Sequence, residues 1–488
     1  MIIKTPIGEK KLRDLACSFF NKDEETEVFI NFSNDNKFLK SSCKIIYNNK
    51  EFKEDYLLNI ENNNYYKENK DKYEENVVLK AFYLCSSKIK NITLPWGVMC
   101  GIRPAKNVST FLEKGYSKEQ ILEMFNELYG AKKEKLELAC EVSYNEQKLV
   151  KNTENDSVSI YIGIPFCPTR CLYCSFVSSD IRVSGKYMND FTNLLLKEIE
   201  KTAQGIKGRK LDTIYIGGGT PTALDENNLE KLLKKVYDCF DLENVKEYTL
   251  EAGRVDTITL NKLKIAKKYG VGRISINPQT MNNKTLKEIN RPHSEEDIKN
   301  AFKMAREVGF NCINADLIAG LPNEDINDFK YSIDNLIKLN PENITIHTMC
   351  VKRAATLNFA DINKNSANEV EKMTNYGYKI LKENDYIPYY MYRQKYMIGN
   401  LENVGYSKKG YMSAYNVNIM EENQTIIALG GGGSSKIVKG TRIERVFNFK
   451  DPVEYIRRFD EILQRKDKIF KMMNELKRWK NGKYRNPC

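Results

Sequence analysis

Between residues 158 and 348 short apolar runs alternate with amphipathic stretches of helical period. Apolar or alternating runs fall at 159–164, 212–216, 247–251, 273–276, 313–318 and 343–347. Stretches with apolar residues every third or fourth place fill the gaps, at 188–202, 229–240, 260–269, 295–308 and 326–339. Strand followed by helix, repeated, predicts parallel βαβ units and a sheet buried on both faces. Six units suit an open barrel and are too few for a closed eightfold one. Residues 1–152 have a different rhythm, with alternating runs at 28–32 and 44–47, a polar stretch at 61–72, and helical period over 77–88 and 108–145. A break at Gly115-Tyr116-Ser117 puts Ser117 in an N-cap position. The run 94–104, with Trp96 among Gly97, Gly101 and Pro104, reads as a tight apolar turn or as a lid. Beyond 355 the pattern weakens. A helix fits 364–384, Tyr389 to Met397 reads as a tyrosine-packed strand or a flat wall edged by cations, and Gly430-Gly431-Gly432-Gly433 as a linker or a close-approach loop. The predicted organisation is an α+β region at 1–152, a barrel at 153–355 and a C-terminal region at 356–488.

Composition adds compartment and excludes little else. The chain has 488 residues, too many for one core. No apolar stretch reaches the roughly 18 residues of a membrane helix, and the start Met1-Ile2-Ile3-Lys4 carries no signal-peptide core. Nine of 12 cysteines are scattered singly, which suits a reducing, cytoplasmic setting. The net charge of +12 reads as solvated surface or as a basic pocket rim for an anionic ligand; it forms no compact basic stripe, so nucleic acid is not an expected partner, nor, without a spanning stretch, is a membrane.

The candidate chemistry gathers at the C-terminal ends of the predicted strands, where such sheets hold their sites. After the first come Cys167, Cys171 and Cys174, spaced C-x-x-x-C-x-x-C behind Pro165. After the second comes Gly217-Gly218-Gly219-Thr220. The third ends at Glu251, in the run Leu250-Glu251-Ala252-Gly253-Arg254. Gln279 and then Asn290-Arg291-Pro292-His293 follow the fourth, Asp316 ends the fifth, and His347 and Cys350 close the sixth. Three thiolates select a soft partner, either zinc or an iron–sulfur cluster. With only His293 and His347 in the chain, a three-Cys-one-His zinc site must recruit a distant ligand.

The cysteine triad with Tyr173 before its last member resembles the radical S-adenosylmethionine superfamily. The runs Tyr161-Ile162-Gly163-Ile164-Pro165-Phe166-Cys167, Gly217 to Thr222 and Asp316 to Pro322 are similar to oxygen-independent coproporphyrinogen III oxidases. Pro95-Trp96-Gly97, Gly101 to Pro104, Tyr392 to Lys395 and Glu402 to Tyr406 resemble the coproporphyrinogen dehydrogenase branch called HemZ. The resemblance implies an α/β fold, a partial (β/α)6 TIM-like barrel with an N-terminal α+β domain and a C-terminal extension covering the active site. It implies a [4Fe-4S] cluster on Cys167, Cys171 and Cys174, with S-adenosylmethionine on the open iron. Tyr161, Tyr173, Gly218, Gly219, Thr220, Glu251, Gln279, Arg291, Asp316 and Cys350 would line the cofactors. The implied reaction uses a 5′-deoxyadenosyl radical to convert two propionates of coproporphyrinogen III to vinyl groups, giving protoporphyrinogen IX. The implied partners are that tetrapyrrole and a flavodoxin-like or ferredoxin-like electron donor, with the chain a monomer. Lys352, Arg353, Arg393 and Lys395 are candidate rim groups for substrate carboxylates. Gly163 and Phe176 stand where the oxidases proper carry a histidine and a fourth cysteine. Haem delivery on the same scaffold, and radical chemistry on another substrate, stay open.

Overall fold

The computed structural model describes all residues except 22, 62, 100, 102, 155, 176–178, 351–366, 396, 441 and 481–488. The chain forms two compact units, Met1–Tyr144 with Met391–Glu402, and Asn145–Tyr390 with Asn403–Cys488.

The first unit holds a sheet of β1 (Ile2–Lys4), β2 (Thr26–Asn34), β3 (Phe38–Tyr47) and β4 (Lys50–Asn59), in that order. β3 and β4 are joined by Asn48-Asn49, both left-handed, as the tightest hairpin turn requires. The helix Lys70–Lys90 buries Val77, Val78, Ala81, Phe82 and Cys85. It starts earlier than the polar run suggests because Tyr73 is also buried, in contact with Tyr65 and Tyr66. The long helical stretch after it is three helices, Pro104–Glu113, Lys118–Tyr129 and Lys133–Val150. Ser117 caps the second with a reciprocal Gln120 bond, and Gly130 ends it in the left-handed region. The run at Trp96 is a tight turn among the described residues. Gly97 sits at φ +52°, where a Cβ would meet the Tyr129 carbonyl at 2.0 Å. Trp96 is fully buried and donates to Glu402 at 2.7 Å, and Glu402 also pairs with buried Lys135 at 2.6 Å.

In the second unit the six expected strands lie side by side and parallel, in chain order. They are β5 (Val158–Ile164), β6 (Leu211–Gly218), β7 (Glu247–Glu251), β8 (Arg273–Ser275), β9 (Ile313–Ala319) and β10 (Asn343–Thr348). This is the partial (β/α)6 barrel. Its helices start at the sequence signals for them: Asp225, Thr259, Ser294 and Asp325 each accept a backbone N–H at a helix start. The segment beyond 355 extends the same sheet. β11 (Ile387–Tyr392) and β12 (Asn403–Ser407) lie beyond β10, while β13 (Thr425–Gly430), β14 (Ser434–Lys439) and β15 (Arg442–Phe447) lie beyond β5. Tyr389 and Tyr390 are buried on β11, the packed-strand alternative. Gly405 on β12 yields its side-chain space to the Tyr390 ring, 1.7 Å from where a Cβ would stand.

The glycine run 430–433 is not a flexible linker. It is the turn from β13 to β14, with Gly430 and Gly432 left-handed. Gly431 donates to the Gly163 carbonyl at 2.8 Å, and Gly432 to that of Phe449 at 2.7 Å. Glu198, on the helix Met188–Gly205, accepts from Gly430 N, Tyr455 and Asn448. Its charge is met by Lys466 at 2.9 Å, and both side chains are fully buried.

Removing one member of such a pair leaves an uncompensated buried charge. Lys466→Met is predicted to cost about 3–5 kcal/mol, read as a lowered denaturation midpoint. Glu198→Gln with Lys466→Met together are predicted to recover part of that loss.

Candidate active site at the strand ends

β5 stops at Pro165, which offers no N–H to a neighbour. The cysteine loop that follows is fastened to the ends of three other strands. Past β6, Gly219 N donates to the Ile164 carbonyl at 2.7 Å and Thr220 N to that of Phe166 at 2.8 Å. Past β7, Arg254 donates to the carbonyl and hydroxyl of Thr169, at 3.1 and 2.9 Å. Past β8, Ile289 accepts from Leu172 N at 3.2 Å, and Asn290 donates to the Arg170 carbonyl at 2.8 Å. The close approach needs glycine: a Cβ on Gly219 would stand 2.6 Å from Phe166 O and 3.0 Å from Cys167 Sγ, and Gly218 is at φ +112°. The glycines therefore make room first for the chain's own cysteine loop.

Cys167 and Cys171 are buried and Cys174 is half-buried. Thr220 Oγ1 lies 3.4 Å from Cys167 Sγ, and Arg254 Nη1 donates to Cys171 Sγ at 3.6 Å. Among the described residues no group of three or more His, Cys, Asp or Glu side chains is arranged to hold one metal ion. Zinc needs its ligands around a single point, whereas a four-iron cluster takes each thiolate on a different iron. Three thiolates on one loop, each able to take a different iron, fit the cluster.

Below the loop, β5, β6, β7, β9 and β10 are buried at nearly every position. The exceptions are Tyr161, Tyr215 and Gly218, Glu251, Asn314 and Asp316, and His347. All but Gly218 point to the same face, since side chains alternate along a strand and these positions are in register. That face is a cleft lined by acid, phenol and imidazole groups. Gly430, Gly163 and Gly217 stand side by side across β13, β5 and β6 at its upper edge, next to Glu251. A Cβ on Gly217 would meet Glu251 at 2.8 Å, and one on Gly163 would meet the Gly431 carbonyl at 2.4 Å. The space for a side chain at position 163 is thus filled by this chain's own backbone.

Glu251 accepts a short hydrogen bond from Tyr215. Burial pushes its carboxyl up to about 7; the Tyr215 bond opposes that and the Asp316 charge adds to it. Asp316 accepts from Asn314 at 2.9 Å and lies 3.6 Å from His347 Nε2. Tyr161, Tyr215 and Tyr415 stack with ring planes within 20° of parallel. Gln279 is left-handed (φ +70°), a conformation costly for a residue with a Cβ, and two backbone bonds to β9 at Asp316 and Ile318 hold it there. Arg291 is buried. It donates to Tyr173 Oη at 2.8 and 3.1 Å and to the carbonyls of Gly253 and Asn277, at 2.9 and 2.8 Å. His293 beside it is also buried, and burial and then the Arg291 charge pull its pKa down to about 4.

The strand ends therefore bring together Tyr161, Glu251 and Asp316 in the cleft, and Cys167, Cys171, Tyr173, Gly219, Thr220 and Arg291 around the loop. Gln279 is joined to Asp316 through backbone. Cys350 follows β10 and borders the segment 351–366; Phe176, Lys352 and Arg353 lie outside the described residues. The expectation of Arg393 and Lys395 as free rim cations is corrected. Both lie in the first unit, where Arg393 is buried against Trp96 and donates to Met99 O, and Lys395 pairs with Asp14 at 2.8 Å. Sequence reasoning missed Tyr215, Tyr415 and the role of Arg254. Arg254 was within reach, three residues past a strand-end acid, but Tyr415 comes from a helix far along the chain and carried no local signal.

A model of the radical SAM superfamily matches residues 161–336. The chain is 41% identical over 393 residues to the oxygen-independent coproporphyrinogen-III oxidase-like protein HemZ of Bacillus subtilis (strain 168), covering 79% of this chain and 78% of that protein. It is 30% identical over 261 residues to the heme chaperone HemW of Buchnera aphidicola subsp. Schizaphis graminum, 54% of this chain and 65% of that one. Among solved structures it is similar to the coproporphyrinogen III oxidase HemN of Escherichia coli, described as a radical SAM enzyme. The TM-score is 0.53 at 22% identity, over 65% of this chain and 72% of that one, which is a likeness of fold.

Two outcomes follow from the geometry. Gly219→Ala is expected to lower iron incorporation during anaerobic reconstitution severalfold, measured as iron per folded chain, because the added Cβ displaces Phe166 or Cys167. The raised Glu251 carboxyl holds its proton in the folded protein above its ordinary value of 4.5, so without bound cofactor it costs stability as pH rises from there to about 7. Glu251→Gln removes that cost and is expected to stabilise by up to about 3 kcal/mol more near pH 8 than near pH 4. Denaturation midpoints across pH check this.

Proposed function

Because the chain belongs to the radical SAM superfamily and, within it, to the family of oxygen-independent coproporphyrinogen-III oxidase-like proteins, we propose that it decarboxylates coproporphyrinogen III to protoporphyrinogen IX without oxygen. The observation that carries the reading is the cleft: the partly exposed strand positions share one face, directly below a loop of three thiols. When bound, the [4Fe-4S] cluster and S-adenosylmethionine supply a 5′-deoxyadenosyl radical able to take hydrogen from a propionate side chain.

The chain's own residues bind and orient. Cys167, Cys171 and Cys174 hold three irons and leave the fourth without a protein thiolate. Gly218, Gly219 and Thr220 keep the loop over the cleft. Glu251 and Asp316 offer acceptors to the amino group and the ribose hydroxyls of the cofactor. With a carboxyl that titrates near 7, Glu251 can serve there as hydrogen-bond donor or acceptor. Arg291 fixes Tyr173 against the loop, and its charge, set among uncharged partners, favours a carboxylate nearby. The apolar faces of Tyr161, Tyr215 and Tyr415 line the floor. The cluster needs an external one-electron donor of flavodoxin or ferredoxin type, and the chain is proposed to work as a cytoplasmic monomer. No helix among the described residues is long and apolar enough to cross a membrane.

The similarity to a heme chaperone supports a second reading, haem delivery on the same scaffold. Both histidines have other surroundings, His293 buried and His347 beside Asp316, so the histidine geometry favours the enzyme. The reconstituted protein, given reductant, S-adenosylmethionine and coproporphyrinogen III without oxygen, is predicted to form protoporphyrinogen IX and 5′-deoxyadenosine. Stoichiometric haem binding with no product formed points to delivery instead. 5′-Deoxyadenosine without protoporphyrinogen points to another substrate.

A further inference from the structure

Two guanidinium groups lie buried beside the cysteine loop, and only one has a carboxylate partner. Arg254 is 3% exposed and grips Asp256 with two parallel bonds, Nε to Oδ1 at 2.9 Å and Nη2 to Oδ2 at 2.7 Å. Its remaining nitrogen, Nη1, points at the loop, reaching Thr169 O, Thr169 Oγ1 and Cys171 Sγ. Arg291 bonds only to uncharged groups. Two cations against one anion leave the pocket one charge short, and buried charge is tolerated where a counter-charge completes it. The thiolates provide it.

We infer that Arg254 is a positioning residue that sets the reduction potential of the cluster, through its N–H···S bond to Cys171 and its part in the one unbalanced positive charge that it and Arg291 leave beside the loop. Hydrogen bonds to cluster sulfurs and nearby charge are recognised levers on such potentials. Reduction adds one negative charge to the cluster, so a cation beside a ligand sulfur stabilises the reduced form and raises the potential. Asp256 works in the opposite direction: it orients the guanidinium and offsets part of its charge. The fork also ties Thr169 to the end of β7, so one side chain holds the loop's shape and its electrostatics together. The inference rests on the three-thiolate cluster and not on the identity of the substrate.

The test is an anaerobic redox titration of the reconstituted protein without S-adenosylmethionine, followed by the paramagnetic signal of the reduced cluster, with iron per chain measured alongside. Arg254→Gln is expected to lower the midpoint and Asp256→Asn to raise it. Each should change the oxidised-to-reduced ratio at fixed potential by tenfold or more, about 59 mV for one electron. Arg254→Lys keeps the charge but loses the fork, and is expected to fall between Arg254→Gln and the unaltered protein. A loop that is merely loosened would move Arg254→Gln and Asp256→Asn in the same direction, so opposite signs identify the charge. If Arg254→Gln takes up no iron, Asp256→Asn decides alone. An upward shift supports the assignment, and a midpoint that is unchanged or lower overturns it. Product formation does not enter the readout, so failure of the substrate reading leaves this result standing.

Discussion

The cysteine loop can sit over the barrel only because side chains are missing where strands and loop meet. Gly219 allows Phe166 and Cys167 to pass within contact distance, and Gly163 and Gly431 allow β5 and the β13–β14 turn to do the same. Gly217 leaves its space to the Glu251 carboxylate. Close packing transmits any added atom as strain, so these contacts act as one constraint. The turn at 430–433 is in turn held by Glu198, and Glu198 by Lys466 from the C-terminal helix. A residue beyond 460 thus helps to fix the position of the first cysteine, about 300 places earlier in the chain.

Charge completes what packing begins. The cleft face carries Glu251 and Asp316, while the loop above it is backed by Arg254 and Arg291. The anionic and cationic parts of one ligand, an amino acid joined to a nucleoside, match such a split. Burial first, and the Asp316 charge after it, raise the Glu251 carboxyl to about 7. Gly163 and Phe176, where the oxidases proper differ, lie at or next to this loop. A side chain at position 163 would meet the Gly431 carbonyl.

The parallel strands of the second unit were legible because a strand buried on both faces must be apolar throughout, and the helices between them carry their caps in sequence, as at Ser294 and Asp325. The strand-end residues were legible for the same reason: polar groups interrupting such runs stand out, as Glu251 and Asp316 do. What local pattern could not show was pairing over long distance. β13 joins β5 across more than 250 residues, and nothing near Thr425 announces it. Tyr415 enters the tyrosine stack from a short helix with no amphipathic signature of its own. The cations Arg393 and Lys395 were misread because charge is visible in a sequence and its partner is not; Met99 and Asp14 lie nearly 300 and more than 380 positions away.

The central claim is that three thiolates, fastened to the ends of neighbouring strands, leave one iron of a four-iron cluster open above an acid-lined cleft. Electron paramagnetic resonance of the reduced, reconstituted protein, with and without S-adenosylmethionine, tests it most directly. About four irons per chain are expected, with a spectrum whose g-values shift when S-adenosylmethionine is added. A four-iron signal that S-adenosylmethionine leaves unchanged, or a protein that binds one zinc in place of the cluster, would contradict it.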